Sequence, residues 1–498
     1  MRLSDQALLS RFDAPDDALA LWHEGVQLSF AQLQAMAHRL AHGLMAQGLK
    51  AGDLFAFLLP NGPEILAAYI ACARTGIIAL PLSQRIGAAE LQAQLAHAQA
   101  QAFWCHPSYA HLLGDTASGQ APGLRLLPLD FLQQCAHLPE HLGSVAVDPQ
   151  SPFCIMFTGG TTGRLKAAML THQSWRCVFE TSIGQWGIHR GDRHLIVLPM
   201  SHAAWYTAGV SLLAGAPVTV VPRWDPARVL DLIEAHRITT FNLIPTLLNE
   251  LIQVQQQQPR DVSSLRLLTV AGSVLTEATY VQARDLFGEV IGNVYGLTEL
   301  AGPVTFLLPH HMASGLHRSV GLPGQAIQMA RLDAQGQPQL GPGQGELLLG
   351  GDQVTSGYWR DPQASAQAML GPWFRTGDEV RIDEDGFVYI VDRIKDMIKT
   401  GGLNVFPSEV EEVLYTHPAV MEAAVFGLPD PRWSEAVHAA VVLKPGQAAT
   451  AADLQAHCRQ HLAAHKAPKQ VHFLAQLPRT RFGKFDKTAL RQQLAAAQ

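Results

Sequence analysis

Apolar residues recur at a helical period over 30–49, where Leu33, Met36, Ala37, Leu40, Leu44 and Leu49 fall on one face. The near-continuous apolar run at 53–59 then reads as a buried strand, 64–75 as a helix and 77–82 as a second strand. The rhythm returns between 199 and 251: a helix around 208–213, a strand at 218–221, a helix at 228–236, and a strand and turn at 239–245 (TTFNLIP). Strands alternating with crossover helices predict parallel sheets covered on both faces. Residues 255–259 (QQQQP) read as a polar surface connector. From Gly321 the texture becomes short apolar runs punctuated by Gly and Pro, which predicts hairpins and a β-rich subdomain. After Asp392 it changes again, into a compact lysine-rich stretch of mixed α+β character. The expected architecture is therefore α/β: a large multi-subdomain N-terminal domain over 1–394, with helix-covered parallel sheets and a β-rich subdomain, and a small domain over 395–498.

Composition narrows the class. The chain has 498 residues, 48% of them apolar and 16% charged, enough to bury a large core and too apolar for a disordered protein. Cys72, Cys105, Cys135, Cys154, Cys177 and Cys458 form no CxxC pair, which argues against a zinc site or a disulfide framework and fits a reducing, cytoplasmic setting. Residues 203–222 carry no charge, but Gly209, Gly215 and Pro217 interrupt them, so a buried helix followed by a buried strand is expected rather than a membrane span. The net charge of −6 is unevenly spread: 395–498 holds 12 basic and 9 acidic residues, leaving −9 on 1–394. An acidic large domain disfavours a nucleic-acid partner.

Five segments carry candidate chemistry. In FTGGTTGRLKAAMLTH (157–172), Thr158, Gly159, Gly160, Thr161, Thr162 and Gly163 precede Lys166. Glycines let backbone N–H groups turn inward, hydroxyls donate further bonds and lysine adds charge, as a phosphate cradle requires. Alone, such a loop reads more readily as a flexible turn between a strand and a following helix, and its spacing is not that of a Walker A motif. NVYGLTE (293–299) places an aromatic ring, a hydroxyl and a carboxylate at a strand-to-helix junction, where Glu299 suits Mg²⁺; a capping box around Thr298 is the plain alternative. FRTGD (374–378) ends in a carboxylate suited to a ribose diol, or is a hairpin turn. Residues 391–411 (VDRIKDMIKTGGLNVFPSEVE) combine a charged hinge-like stretch, a double-glycine turn and a helix opened at Pro407. LPRTRFGKFDKTALR (477–491) sets Lys484 in a basic run that otherwise reads as a solvated face.

In this order and at these separations, together with LQAMAHRLAHGLMAQGLKAGD and LPNGPE at 33–64, the motifs closely resemble the adenylate-forming superfamily of acyl-CoA synthetases, peptide-synthetase adenylation domains and firefly luciferase. The resemblance runs nearly end to end. It implies an AMP-forming acid–thiol ligase using ATP, Mg²⁺ and coenzyme A: a carboxylate attacks the α-phosphate to give acyl-AMP and pyrophosphate, and a thiol then displaces AMP. It assigns 158–166 to the β- and γ-phosphates, Tyr295 and Gly296 to the adenine segment with Asn293, Gly272 and Ser273 around the base, and Thr298 to the α-phosphate. Glu299 is the implied Mg²⁺ ligand, and Asp378, assisted by Arg393, takes the ribose hydroxyls. Lys484 is the implied catalytic lysine, lying between carboxylate and α-phosphate, where an ammonium relieves the repulsion of two anions. Lys395 stands at the family's hinge, about which a mobile small domain swaps the lysine motif for a pantetheine tunnel lined by Gly401 and Gly402.

The resemblance also places Pro199 and His202 in a P-x-x-H pattern at the carboxylate end of the acyl pocket, beside Ala203, Ala204, Asn242, Val294, Gly296, Ala301 and Gly302. These small residues and one amide predict room for an aromatic or medium-chain acid. Leu165 and Ala167 depart from the usual proline and glycine of the phosphate loop, which predicts altered loop flexibility with activity retained. Two alternatives stand beside the CoA ligase: a ligase loading an acyl carrier protein, and a catalytically silent ATP-binding relative. The expected partners are the small acid, ATP and CoA, with no nucleic acid and no membrane span, in a monomer or homodimer.

Overall fold

The protein, seen in a computed structural model, is described over residues 15–113, 123–143, 145–158, 166–202, 204–273, 275–479 and 485–495. Its chain divides into two compact units, Met1–Gln328 with Gly350–Phe374, and Met329–Leu349 with Arg375–Gln498. Of the β-rich segment, residues 329–349 and 375–394 thus group with the C-terminal hundred residues, while 321–328 and 350–374 group with the first unit.

Among the described residues the first unit holds two sheets whose central strands run parallel. One is six-stranded, with Leu54–Leu58 paired to both Ile78–Pro81 and Ala102–Cys105, and with Pro152–Thr158 and Lys166–Thr171 closing one edge as an antiparallel pair. The other is nine-stranded; along it lie His194–Ile196, Thr240–Leu243, Leu267–Val270, Ile291–Leu297 and the antiparallel Gly302–Leu307. The strand Leu54–Leu58 is buried along its whole length, as a parallel strand covered on both faces requires.

The helix Phe30–Ala46 begins where Ser29 and Gln32 form a reciprocal capping box, and it buries Leu33, Ala37, Leu40 and Leu44 on the expected face. The helix Pro63–Thr75 starts at a proline and stops at Gly76, whose φ of 72° serves as a left-handed cap. The uncharged stretch after His202 is the buried helix Ala204–Leu213 followed by the strand Val218–Val220, and no helix among the described residues is long and apolar enough to cross a membrane.

Two expectations need correction. The glutamine run is not a free connector: the helix Pro245–Gln257 continues into it, and Gln255 is buried with its side chain bonded to both the backbone N–H and the C=O of Arg260. FRTGD is not a hairpin turn either, because it lies inside the single strand Trp373–Ile382.

In the second unit, Ser434–Leu443 pairs antiparallel with Val420–Asp430 and parallel with Gln470–Phe473, around a core that includes Val425, Val437, Val441 and Leu454. The helix Pro407–Thr416 opens at the expected proline and packs on this sheet.

Candidate active site

The first unit brings the central motif together. Strand Ile291–Leu297 carries Asn293, Val294, Tyr295 and Gly296 and runs into a one-turn 3₁₀ helix, Thr298–Leu300. Ala301 ends that turn at φ 57°, a left-handed conformation that a residue with a Cβ rarely adopts and that recurs where geometry is held by function. Gly296 is obligatory, since a Cβ there would lie 2.3 Å from the carbonyl oxygen of Gly302. Gly302 is nearly as constrained, with Val178 2.9 Å from its own hypothetical Cβ.

Both polar side chains of the turn are held from outside the motif. His202 Nε2 lies 3.2 Å from Thr298 Oγ1, so the 199–202 and 293–299 segments converge. The phenol of Tyr358 donates to Glu299 Oε1 at 2.9 Å, and Lys166 Nζ stands 5.1 Å from the centroid of the same ring. Burial and the Glu299 carboxylate push the Tyr358 hydroxyl far above the usual tyrosine range, so it serves Glu299 as a fixed donor. The backbone joins in, with Thr355 N–H donating to Glu299 O at 2.7 Å. Glu299, Tyr358 and Lys166 therefore form one contiguous cluster at the foot of the glycine-rich segment, where Thr158 pairs with Lys166 across two antiparallel strands.

The turn carrying His202 is anchored in its turn. Asn61 Nδ2 donates to Leu198 O at 2.9 Å and Asn61 Oδ1 accepts from Met200 N at 2.8 Å, while Tyr69 OH donates to Met200 O at 3.0 Å. Tyr358, Asn61 and Tyr69 are the residues that motif reading missed. Asn61 lies in the LPNGPE stretch, so the only trace of its role was membership of that segment.

Val294, Ala301 and Ala204 are buried near this motif, and Asn242 donates to Thr269 Oγ1 across neighbouring strands. Gly272 adopts φ 88° beyond the strand Leu267–Val270, with Ser273 exposed next to it. Gly159, Gly160, Thr161, Thr162, Gly163, Leu165 and Ala203 lie outside the described residues, as does Lys484; Ala167 is buried in the strand Lys166–Thr171.

In the second unit, Asp378 is 2% exposed and directly opposite Arg393 in the ladder, with Arg393 Nε 2.9 Å from Asp378 Oδ1. Gly377 reaches φ 70° just before Asp378, and Thr376 Oγ1 accepts from the Asp378 N–H at 3.1 Å. Lys395 sits exposed in the 3₁₀ turn Ile394–Asp396, and Arg491 of the last helix lies 3.6 Å from Asp396. Gly401 and Gly402, at φ 59° and 81°, make the turn between Ile398–Thr400 and Leu403–Val405, and Gly401 N–H donates to Trp433 O at 2.8 Å.

A Mg²⁺ ion fits this donor set. Among the described residues no group of three His, Cys, Asp or Glu could hold a metal alone, while Glu299 offers one oriented carboxylate beside a hydroxyl. One carboxylate completed by phosphate oxygens is how Mg²⁺ is commonly held.

Comparison with known proteins agrees with this chemistry. The family model for the AMP-binding enzyme matches residues 10–359, and that for the AMP-binding enzyme C-terminal domain matches 409–484. The feruloyl-CoA synthase of Amycolatopsis sp is 35% identical over 487 residues, covering 96% of this chain and 96% of that protein. A long-chain-fatty-acid–CoA ligase of Mycobacterium tuberculosis is 33% identical over 484 residues, covering 95% and 94%. The structure of ATP-bound MatB from Rhodopseudomonas palustris superposes with a TM-score of 0.91 at 29% identity, covering 98% of this chain and 97% of that one.

Proposed function

This chain belongs to the AMP-binding enzyme family, is an acid–thiol ligase working with ATP, Mg²⁺ and coenzyme A, and on that premise we propose how its own residues divide the work and which acids it takes. The carrying observation is that Thr298 and Glu299, adjacent in the chain, are each held by a side chain from a distant segment: Thr298 by His202 and Glu299 by Tyr358. Fixed donors and ligands aimed at the place where charge develops are what lower a transition state, because no reorganisation is needed at the moment of reaction.

In this reading residues 158–166 wrap the β- and γ-phosphates, Tyr295 stacks on adenine, and Asn293 with Gly272 and Ser273 borders the base. Thr298 donates to the α-phosphate, and His202 faces the attacking carboxylate. Glu299, kept in place by Tyr358, is the Mg²⁺ ligand; the ion neutralises phosphate charge when bound. Asp378 accepts from both ribose hydroxyls, and its pairing with Arg393 orients the buried carboxylate. Lys484 lies between the carboxylate and the α-phosphate for the first half-reaction. The segment 395–498 acts as a lid that pivots at Lys395, so that Gly401 and Gly402 replace Lys484 at the acyl group for the second.

The acid is aromatic or of medium chain length. The small side chains of Ala204, Val294, Ala301 and Gly302 support this, leaving width near the carboxylate. A panel of carboxylic acids scored for pyrophosphate release, with and without CoA, tests the whole reading. Aromatic and medium-chain acids should release pyrophosphate without CoA and form thioester only with it. Absence of release with every acid would overturn the ligase, and thioester formed only on an acyl carrier protein would replace CoA as the acceptor.

A further inference from the structure

The loop 351–359 lies outside the five motif segments, yet it fastens two parts of the site to each other. Towards the strand Lys166–Thr171, Ser356 N–H donates to Met169 O at 3.1 Å, Met169 N–H to Gly357 O at 2.9 Å and Trp359 N–H to Ala167 O at 2.8 Å. Thr355 Oγ1 lies 2.8 Å from both Met169 O and Gly357 O. Towards the turn Thr298–Leu300, the Thr355 N–H and the Tyr358 hydroxyl both reach Glu299. The loop thus sets the turn against the strand that begins at Lys166.

Gln353, in the same loop, is wholly buried, and its side-chain nitrogen donates to Leu300 O and to Pro303 O, each at 2.8 Å. Both partners are carbonyl oxygens, so the amide must present its NH₂ and not its oxygen to them. Leu300 closes the 3₁₀ turn, and Pro303 stands opposite Gly296 on the returning strand Gly302–Leu307. One side chain therefore holds both ends of the reversal, with Ala301 at φ 57° between them.

Within the reversal, Ala301 N–H donates to Thr298 O at 3.1 Å, and the chain turns back through a left-handed backbone that is unfavourable for a residue with a Cβ. Strain of this kind persists where the surroundings over-determine it. Gln353 supplies that constraint at a further cost, because its Oε1 is buried with no hydrogen-bond partner among the described residues. A side chain selected only to fill this space would carry no such oxygen, so the clamp on the two carbonyls is what the amide adds. Ala301 stands two residues beyond Glu299 and three beyond Thr298. Relaxation of its φ would shift both side chains against Lys166, and a displacement of about 1 Å costs roughly 100-fold in rate.

Resting on the ligase reading above, we propose that Gln353 is a positioning residue for acyl-AMP formation. By clamping Leu300 O and Pro303 O it keeps the reversal in its left-handed closure and holds Thr298 and Glu299 in register with Lys166. The amide acts through these two carbonyls and not on the reacting atoms.

Half-reaction kinetics on the full-length enzyme test this. Gln353→Met keeps the length of the side chain and removes both donors. Val229→Ala, buried in the helix Pro226–His236, serves as a reference of comparable loss in denaturant midpoint. Gln353→Met should lower kcat for pyrophosphate release at least about tenfold with the KM for ATP within about threefold, whereas Val229→Ala should leave kcat within about twofold. Glycine adopts a left-handed backbone without strain. Ala301→Gly should therefore raise pyrophosphate release in the Gln353→Met background at least about threefold more than in the otherwise wild-type enzyme. Should Gln353→Met fail to fold, Gln353→Asn, whose shorter amide cannot span both carbonyls, takes its place in every comparison. A kcat within about twofold of wild type, a loss no greater than that of Val229→Ala, or strictly additive effects of the substitutions at Gln353 and Ala301 would overturn the positioning role. Each of these results leaves the ligase standing, because failure of the ligase would appear as no pyrophosphate release by the wild-type enzyme with any acid.

Discussion

Tyr358 donates its hydroxyl to Glu299 across 59 residues of sequence, at 2.9 Å, while its ring faces Lys166. A tyrosine absent from every recognised motif thereby connects the proposed metal ligand to the lysine of the glycine-rich segment. Tyr358→Phe keeps the ring and removes only the donor. We expect stability to fall by about 1 kcal/mol, pyrophosphate release to fall about tenfold, and the Mg²⁺ concentration for half-maximal rate to rise. An unchanged Mg²⁺ dependence would show that Tyr358 does not orient Glu299.

Gly296 admits no side chain, because the obstacle to its Cβ is the backbone of Gly302 rather than a movable side chain. Gly296→Ala should lower stability by about 1–3 kcal/mol and reduce adenylation more than thiolysis of supplied acyl-AMP, since the strain falls on the turn holding Thr298. A denaturant midpoint equal to wild type would contradict the close approach.

His172 supplies a pH signature. Burial, reinforced by Arg176 and opposed by Asp148, lowers its pKa to about 4, and neither ring nitrogen has a hydrogen-bond partner among the described residues. Unfolding raises the pKa towards its free value near 6.5, so the unfolded chain takes up the proton first. The contribution is fully present above pH 6.5 and is lost as the pH falls, at about 1.4 kcal/mol per unit, until about pH 4. His194 acts with the same sign. In His172→Phe, stability measured by denaturant melts should fall less steeply between pH 6.5 and pH 4; parallel curves would refute the buried neutral imidazole.

Much of the large domain was legible because its elements carry their own signals. The 3.6-residue spacing of Leu33, Ala37, Leu40 and Leu44, the proline opening the helix at Pro63 and the strand-to-turn junction after Leu297 are local features, and local physics decides them. Gln255 was misread because polar composition signals solvent, whereas its amide is satisfied by the backbone of Arg260 inside the fold. FRTGD reads as a turn because a glycine precedes the aspartate, yet pairing with the strand Val388–Arg393 carries the chain through as one strand, with Gly377 taking a positive φ inside it. Tyr358 and His194 left no sequence signal at all, since each matters through a partner that only the sheet order brings close.

Lys395 tests the pivot. Lys395→Pro, in the turn Ile394–Asp396, should slow CoA thioester formation from supplied acyl-AMP at least about tenfold while adenylation changes by less than about threefold. Equal loss in both half-reactions would remove Lys395 from the hinge role.

The most direct test of the central claim, that one chain performs two half-reactions with separable side chains, is a half-reaction measurement on Lys484→Ala. The account predicts that pyrophosphate release falls by several orders of magnitude, because no cation then offsets the two approaching anions, while supplied acyl-AMP is still converted to the CoA thioester. Pyrophosphate release at the wild-type rate in that variant would contradict it.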